Sequence, residues 1–267
     1  MRQQSTRLLA SVAMTAILAA GLGGCQTMSD ITGSISPKSS ASAETDSRQA
    51  VDVTGERYRA DPKNAEAALA YGQALRASGQ RSQAAAVLEQ ATIAHPGDKA
   101  LLAGYGRALA DNGNFQQAFD VLNRAHSPDN PDWRLLSVQG TTLDQLGRHD
   151  EARRYYESAL KIVPGEPSVL SNLGLSYVLS KNLPKAEEAL RQAYASGRAD
   201  ARVRQNLALV IGLQGRFAEA EQIVRADLPA DEAAANVAYL KQMLNRKDDP
   251  RLGNAGKMPV ASLSRPE

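Results

Sequence analysis

Four columns of small residues, each recurring every 34 positions, constrain this chain of 267 residues more than any other feature. The first is Gly72, Gly106, Gly140, Gly174 and Ala208. Twelve positions on stand Ala84, Ala118, Ala152, Ala186 and Ala220. A third reads Ala91, Ala125, Ala159 and Ala193, closing on Asp227. Gly79, Gly113, Gly147 and Gly215 make the fourth, broken by Lys181. Each unit has two apolar-periodic stretches long enough for three or four helical turns, joined by turns such as "ASGQ" or "QLGR". The first two columns fall where the two helices of a hairpin would cross closely. The bulkier Leu88, Leu122, Tyr156, Leu190 and Val224 stand between them, so small and large residues alternate across the crossing. A lone hairpin cannot bury its apolar face, but stacked neighbours can.

Period and residue pattern together resemble the tetratricopeptide repeat. The resemblance implies an all-α fold: a right-handed superhelical solenoid of helical hairpins. Five repeats are expected at 65–98, 99–132, 133–166, 167–200 and 201–234. Residues 47–64 read as an extra N-terminal helix and linker, ended by Asp61-Pro62. A capping helix is expected to start near 231 and to run on through 235–244, because a solenoid needs its open end covered.

The start of the chain carries a different signal. Arg2 and Arg7 precede an apolar stretch from Leu8 to Leu22, then Gly23-Gly24, so residues 1–24 read as a secretory signal peptide. The stretch is shorter than the ~20 residues a membrane-crossing helix needs. Leu22-Gly23-Gly24-Cys25 resembles the lipobox of bacterial lipoproteins, and Cys25 is the single cysteine of the chain. The resemblance implies that Cys25 becomes the lipidated first residue of the mature protein. Stable anchoring takes more than one acyl chain, which that modification supplies. Gln26 follows, where Asp would favour inner-membrane retention. The expected place is therefore the envelope of a Gram-negative bacterium, at the outer membrane and facing the periplasm, with the inner membrane left open.

Composition narrows the function classes. The 31 basic residues, less Arg2 and Arg7, leave 29 against 29 acidic ones, with no long run of one sign. Nucleic-acid partners, which call for concentrated positive charge, are not indicated. Residues 25–46, with six Ser and three Thr after the cysteine, read as a flexible tether. Residues 245–267 read as a disordered tail. His95, His126 and His149 are far apart in repeat register, and no ligand spacing surrounds them, so no metal or other cofactor is expected. No phosphate-loop, nucleophile-elbow or zinc-protease motif is present. The chain reads as a non-enzyme with no small-molecule substrate, an envelope enzyme being the low-ranked alternative.

Such a solenoid works by presenting its concave face to another protein. In the tetratricopeptide family that face comes largely from positions 2, 5, 9, 12 and 13 of each first helix. Carried over, repeats 1 to 3 give a polar lining of Glu66, Gln73, Arg76, Arg107, Asp111, Arg134, Thr141, Asp144 and Gln145. Repeats 4 and 5 give Leu175, Val178, Leu179, Leu209 and Leu213. That apolar patch suits a partner helix or extended peptide. Alternatively, the terminal helix folds back and covers it with Val237, Leu240 and Met243. The Lys/Asn pattern of the family's carboxylate clamp is missing, since Leu69 and Gln73 stand at matching positions.

The last repeat and cap, "RQNLALVIGLQGRFAEAEQIVRADLPADEAAANVAYLKQML", resemble the tetratricopeptide lipoproteins of the Tad (Flp) pilus assembly system, the TadD type. The resemblance runs over residues 50–244 and includes the lipobox. It implies a scaffold or pilotin serving the outer-membrane secretin or other pilus-assembly components. A general envelope scaffold for cell-wall synthesis, division or outer-membrane protein assembly is the alternative.

Overall fold

The computed structural model describes the backbone of residues 37–247 and the side chains of residues 45–245. Among these residues there are twelve α-helices and no strand. Helix α1 (Pro37–Ala60) comes first. Five hairpins follow: α2 (Ala65–Ala77) with α3 (Arg81–Ala94), α4 (Lys99–Asp111) with α5 (Phe115–Ala125), α6 (Trp133–Gln145) with α7 (His149–Ile162), α8 (Pro167–Leu179) with α9 (Leu183–Ala195), and α10 (Ala201–Leu213) with α11 (Phe217–Val224). Helix α12 (Ala230–Lys247) ends the described chain. The first helix of each hairpin packs on its own partner and on the first helix of the next hairpin. So α2, α4, α6, α8, α10 and α12 form one continuous row, with α3, α5, α7, α9 and α11 behind it.

The glycine column sits at the hairpin crossings. A Cβ added to Gly72 would lie 2.5 Å from Leu88 Cγ, and one on Gly106 would lie 2.6 Å from Leu122 Cγ. At Gly140 the clash would be with the Tyr156 ring at 2.6 Å, and at Gly174 with Leu190 Cγ at 2.7 Å. Leu88, Leu122, Tyr156 and Leu190 have no exposed surface, so they have nowhere to move. The fifth hairpin uses Ala208 with Val224 instead, the added methyl on one helix matched by a shorter side chain on the other. The alanine column is as tightly held: Ala84, Ala118, Ala152 and Ala186 are fully buried, and Ala220 nearly so.

Every hairpin turn closes in the same way. The first helix ends with an N–H reaching back five residues, from Gln80 to Leu75 O, Asn114 to Leu109 O, Arg148 to Leu143 O, Asn182 to Tyr177 O and Arg216 to Ile211 O. This turn requires a left-handed residue. Gly79, Gly113, Gly147 and Gly215 supply it with φ between 76° and 83°. In the fourth hairpin the same place is held by Lys181 at φ 60°, a conformation that strains a residue with a Cβ. The break in the glycine column is thus a change of residue and not of backbone.

A further column lies just before each first helix: Asn64, Asp98, Asp132, Glu166 and Asp200, again 34 apart. Asn64, Asp98, Asp132 and Asp200 accept hydrogen bonds from first-turn N–H groups, as N-caps do. Glu166 makes no such bond, and Pro167 opens α8 instead, leaving one fewer N–H to satisfy.

At one end of the stack, Val51 and Tyr58 of α1 pack on the first core cluster, and Tyr58 stacks on Tyr71 with ring centroids 5.4 Å apart. Helix α1 begins at Pro37, so the helix starts ten residues before the expected Ser47 and takes in part of the stretch expected to be tether. Proline suits a helix start because its missing N–H would have no partner there. Ser/Thr-rich composition lowers the expectation of helix, but it does not forbid one. At the other end, α12 covers the last hairpin: Ala233 is fully buried, Val237 packs on the α10–α11 core, and Leu240 fills the space over Gly212, where an added Cβ would lie 2.5 Å from its Cδ2.

Candidate partner-binding face

Position 9 of the first helix of each hairpin forms a column on the exposed side of the row: Gln73, Arg107, Thr141, Leu175 and Leu209. Its polar members come first and its apolar members last. Leu175 is half-buried and Leu209 is 37% exposed, and on α12 Met243 is 44% exposed. Leu179, one turn beyond Leu175, is 45% exposed, and Tyr239 on α12 is 54% exposed. Four of the eight large exposed hydrophobic residues among the described residues therefore belong to α8, α10 and α12. Water-exposed apolar surface gathered in this way marks a place where another surface belongs.

Helix α12 does not cover this stripe. Val237 and Leu240 face the stack, Leu240 lying on Gly212 near the end of α10, and Leu209 stays 37% exposed. The face is therefore open. Val178 belongs partly to the core, packed with Leu207 and Ile211, and Leu213 is half-buried. Between α8 and α10 the face dips into a cleft of about 500 Å³, floored by Ser171, Asn172, Leu175 and Asn206 and edged by Glu166 and Arg202. The two asparagines are fixed across repeats, Asn172 donating to Ser137 Oγ at 3.1 Å and Asn206 to Ser171 Oγ at 2.9 Å.

One member of the expected polar lining belongs elsewhere. Asp144 is buried, and its carboxylate accepts from Tyr156 Oη at 2.9 Å, Ser176 Oγ at 2.8 Å and His149 Nδ1 at 2.9 Å. It joins three helices, α6, α7 and α8. Burial first, then the Asp144 charge, pushes the Tyr156 hydroxyl well above its ordinary pKa, so it stays a donor. An aspartate at an inner position reads as groove until its partners, 12 and 32 residues away, are seen.

The three arginines on this face differ in how they are paired. Arg76 Nε donates to Asp111 Oδ2 at 2.6 Å. Arg134 is exposed and lies over the Trp133 ring, 4.4 Å from its centroid. Arg107, between them, is only 24% exposed, donates no hydrogen bond among the described residues, and has a loose ion pair to Asp132 Oδ2 at 3.9 Å. Burial pulls its pKa below the ordinary value, and the Arg76 and Arg134 charges push the same way against Asp132 and Asp111.

Elsewhere the titratable groups hold the stack together. His95 Nε2 lies 2.7 Å from Lys63 O and closes an inter-helix loop. Glu187 is gripped by Arg216, Arg191 at 2.7 Å and Gln214 at 2.8 Å, joining the fourth hairpin to the fifth. The Arg216 hydrogen bond, helped by Arg191 and Gln214 and opposed by burial, holds its carboxyl down at about 2. Among the described residues no helix is long and apolar enough to cross a membrane. Cys25, the signal peptide and most of the tail lie outside the described residues.

Comparison with known proteins bears on what this stack is. Three family models, each described as tetratricopeptide repeat, match residues 69–132, 134–199 and 201–226. The chain is a tetratricopeptide-repeat protein. A comparison with curated protein sequences finds no match. Among solved structures, a protein described as PilW, a widely conserved type IV pilus biogenesis factor, superposes with a TM-score of 0.64 at 18% identity, covering 75% of this chain and 94% of that one. The Cut9–Hcn1 hetero-tetramer of APC/C gives 0.62 at 18% identity over 80% of this chain, which spans 42% of the length of its match. TTC0263, a thermophilic tetratricopeptide-repeat protein of Thermus thermophilus, gives 0.58 at 22% identity, covering 67% of this chain and all of that one. At these identities the likeness is one of fold, a tetratricopeptide superhelix.

Proposed function

We propose that this tetratricopeptide-repeat protein is a lipid-anchored envelope scaffold of Tad (Flp) pilus assembly, a pilotin-like carrier that holds a secretin or another pilus component on its inner face. The observation that carries the reading is the open apolar stripe of Leu175 and Leu209, continued one turn on by Leu179, on a fold that acts through protein contacts. The lipobox at Leu22–Cys25 supports delivery to a membrane, and the absence of Asp after the cysteine supports the outer one. The resemblance of residues 50–244 to TadD-type lipoproteins supports the pilus system, as does the fold shared with a pilus biogenesis factor. Binding energy would come from burying the stripe, at about 25 cal/mol per Å² of apolar surface, with no chemistry asked of the chain.

The test is in-cell cross-linking with mass spectrometry, comparing the wild type with Cys25→Ser and with Leu175→Glu/Leu209→Glu. The expected result is capture of a secretin or other pilus components by the wild type. Cys25→Ser should lose membrane placement, and the double variant should lose capture while remaining folded. Capture of cell-wall synthesis, division or outer-membrane assembly proteins in their place would overturn the pilus assignment and favour a general envelope scaffold.

A further inference from the structure

Arg107 is a cation that the fold has half-buried without giving it a close partner. Arginine is normally withdrawn from water only where acceptors replace the water it loses, because an uncompensated buried charge is costly. Here Asp132 stands 3.9 Å away, beyond hydrogen-bond range, and Asp111 is already engaged by Arg76 at 2.6 Å. Arg76 and Arg134 flank Arg107, so three positive side chains face two negative ones. The planar fork of a guanidinium matches a carboxylate with two parallel hydrogen bonds. The same column, two repeats on, becomes the apolar stripe at Leu175 and Leu209.

We propose that a single segment of the partner protein reads this face in two parts, an Asp or Glu carboxylate docking on Arg107 and an apolar side chain docking on the Leu175–Leu209 stripe. This rests on the reading of the face as the client surface, and it adds the client's chemistry. Neighbouring packed helices lie ~10 Å apart, so Arg107 and Leu175 are separated by roughly 20 Å. An extended segment spans that in about six residues at ~3.3 Å each, and a helical one in about thirteen at ~1.5 Å each. Arg107 thereby also fixes direction: a client docked in reverse would bring its apolar end to an unpaired guanidinium and its acid to leucine.

The experiment pans a displayed library of random sixteen-residue peptides on the full-length chain, on Arg107→Gln and on Leu175→Glu/Leu209→Glu. The wild type is expected to enrich peptides carrying Asp or Glu at a fixed offset from an apolar pair. Arg107→Gln should lose the acidic preference and keep the apolar one, and the Leu variant should lose the apolar preference. Replacing Glu by Gln in a selected peptide should weaken its binding to the wild type about tenfold at low salt, with a smaller difference at high salt; this arm needs no folded variant. Arg107→Gln should unfold at an unchanged temperature, since no close partner is lost. Enrichment of apolar peptides without an acid, or an acidic preference that survives in Arg107→Gln, would overturn the inference and leave the scaffold reading standing. A library that yields nothing would overturn both, and a dimer at sizing would then name a second copy of the chain as the occupant.

Discussion

The hairpin crossings and the inner face share one 34-residue register but treat it differently. At the crossings the residue type barely changes: glycine meets a large side chain four times, and the one exception, Ala208 with Val224, trades size between the two helices. On the inner face the same register runs from Gln73 through Arg107 and Thr141 to Leu175 and Leu209. The backbone is equivalent at every step, so the fold does not require the change. Positions that set the distance between helices are held constant by packing, which tolerates little change in volume. Positions that face solvent are free to differ, and their drift from polar to apolar is what the chain presents to a partner.

The sharpest way to break this contrast is to substitute within a crossing. Gly140→Leu should cost ~3 kcal/mol or more, because its Cβ alone would lie 2.6 Å from a fully buried tyrosine ring. Unchanged chemical denaturation of that variant would show that the crossings are not as tight as described. Next is Asp144→Ala, which leaves the buried Tyr156 and Ser176 hydroxyls without their acceptor and should cost ~2 kcal/mol in the same measurement. A cost near zero would return Asp144 to the groove.

Titration sharpens the comparison between repeats. The folded Glu187 carboxyl titrates at about 2, below its ordinary 4.5. A depressed carboxyl adds stability that is fully present above the unfolded value and is lost as pH falls through the folded one. Urea denaturation should therefore show the wild type losing stability between about pH 4.5 and about pH 2, with a shallower fall for Glu187→Gln. Equal slopes would mean that the grip of Arg216 and Arg191 does not couple the last two hairpins. Lys181→Gly restores the residue that the other four turns use and should raise stability by ~1 kcal/mol. The smallest effect is expected on the open face, where Leu209→Glu should change stability by no more than about 0.5 kcal/mol. A large loss there would make the stripe part of the core.

Much of this is legible in the sequence, for a physical reason. Repetition turns weak preferences into a register, so Gly72, Gly106, Gly140 and Gly174 locate the crossings and their large partners from residue spacing alone. The cap column from Asn64 to Asp200 lies in the same register, but a search for repeating small residues passes over it. Its signal is the ordinary one of Asp or Asn just before an apolar-periodic stretch. The features that sequence does not carry depend on contacts between repeats. Asp144 looks like an inner-face residue until Ser176 of the next repeat accounts for it. Leu240 could as well be a lid over the stripe, and it proves to pack on Gly212 near the end of α10, leaving Leu209 exposed. The incomplete pairing of Arg107 is visible only once Asp111 is seen to be held by Arg76.

The central claim, that the row of first helices presents an open face to a client, is tested most directly by a photoreactive residue placed in living cells at Leu209 or, for contrast, at Ile93, which is exposed on α3 behind the row. The account predicts that Leu209 yields an adduct with a pilus component and that Ile93 yields none. Adducts from Leu209 confined to α12 of its own chain, or equal adducts from both sides of the stack, would contradict it.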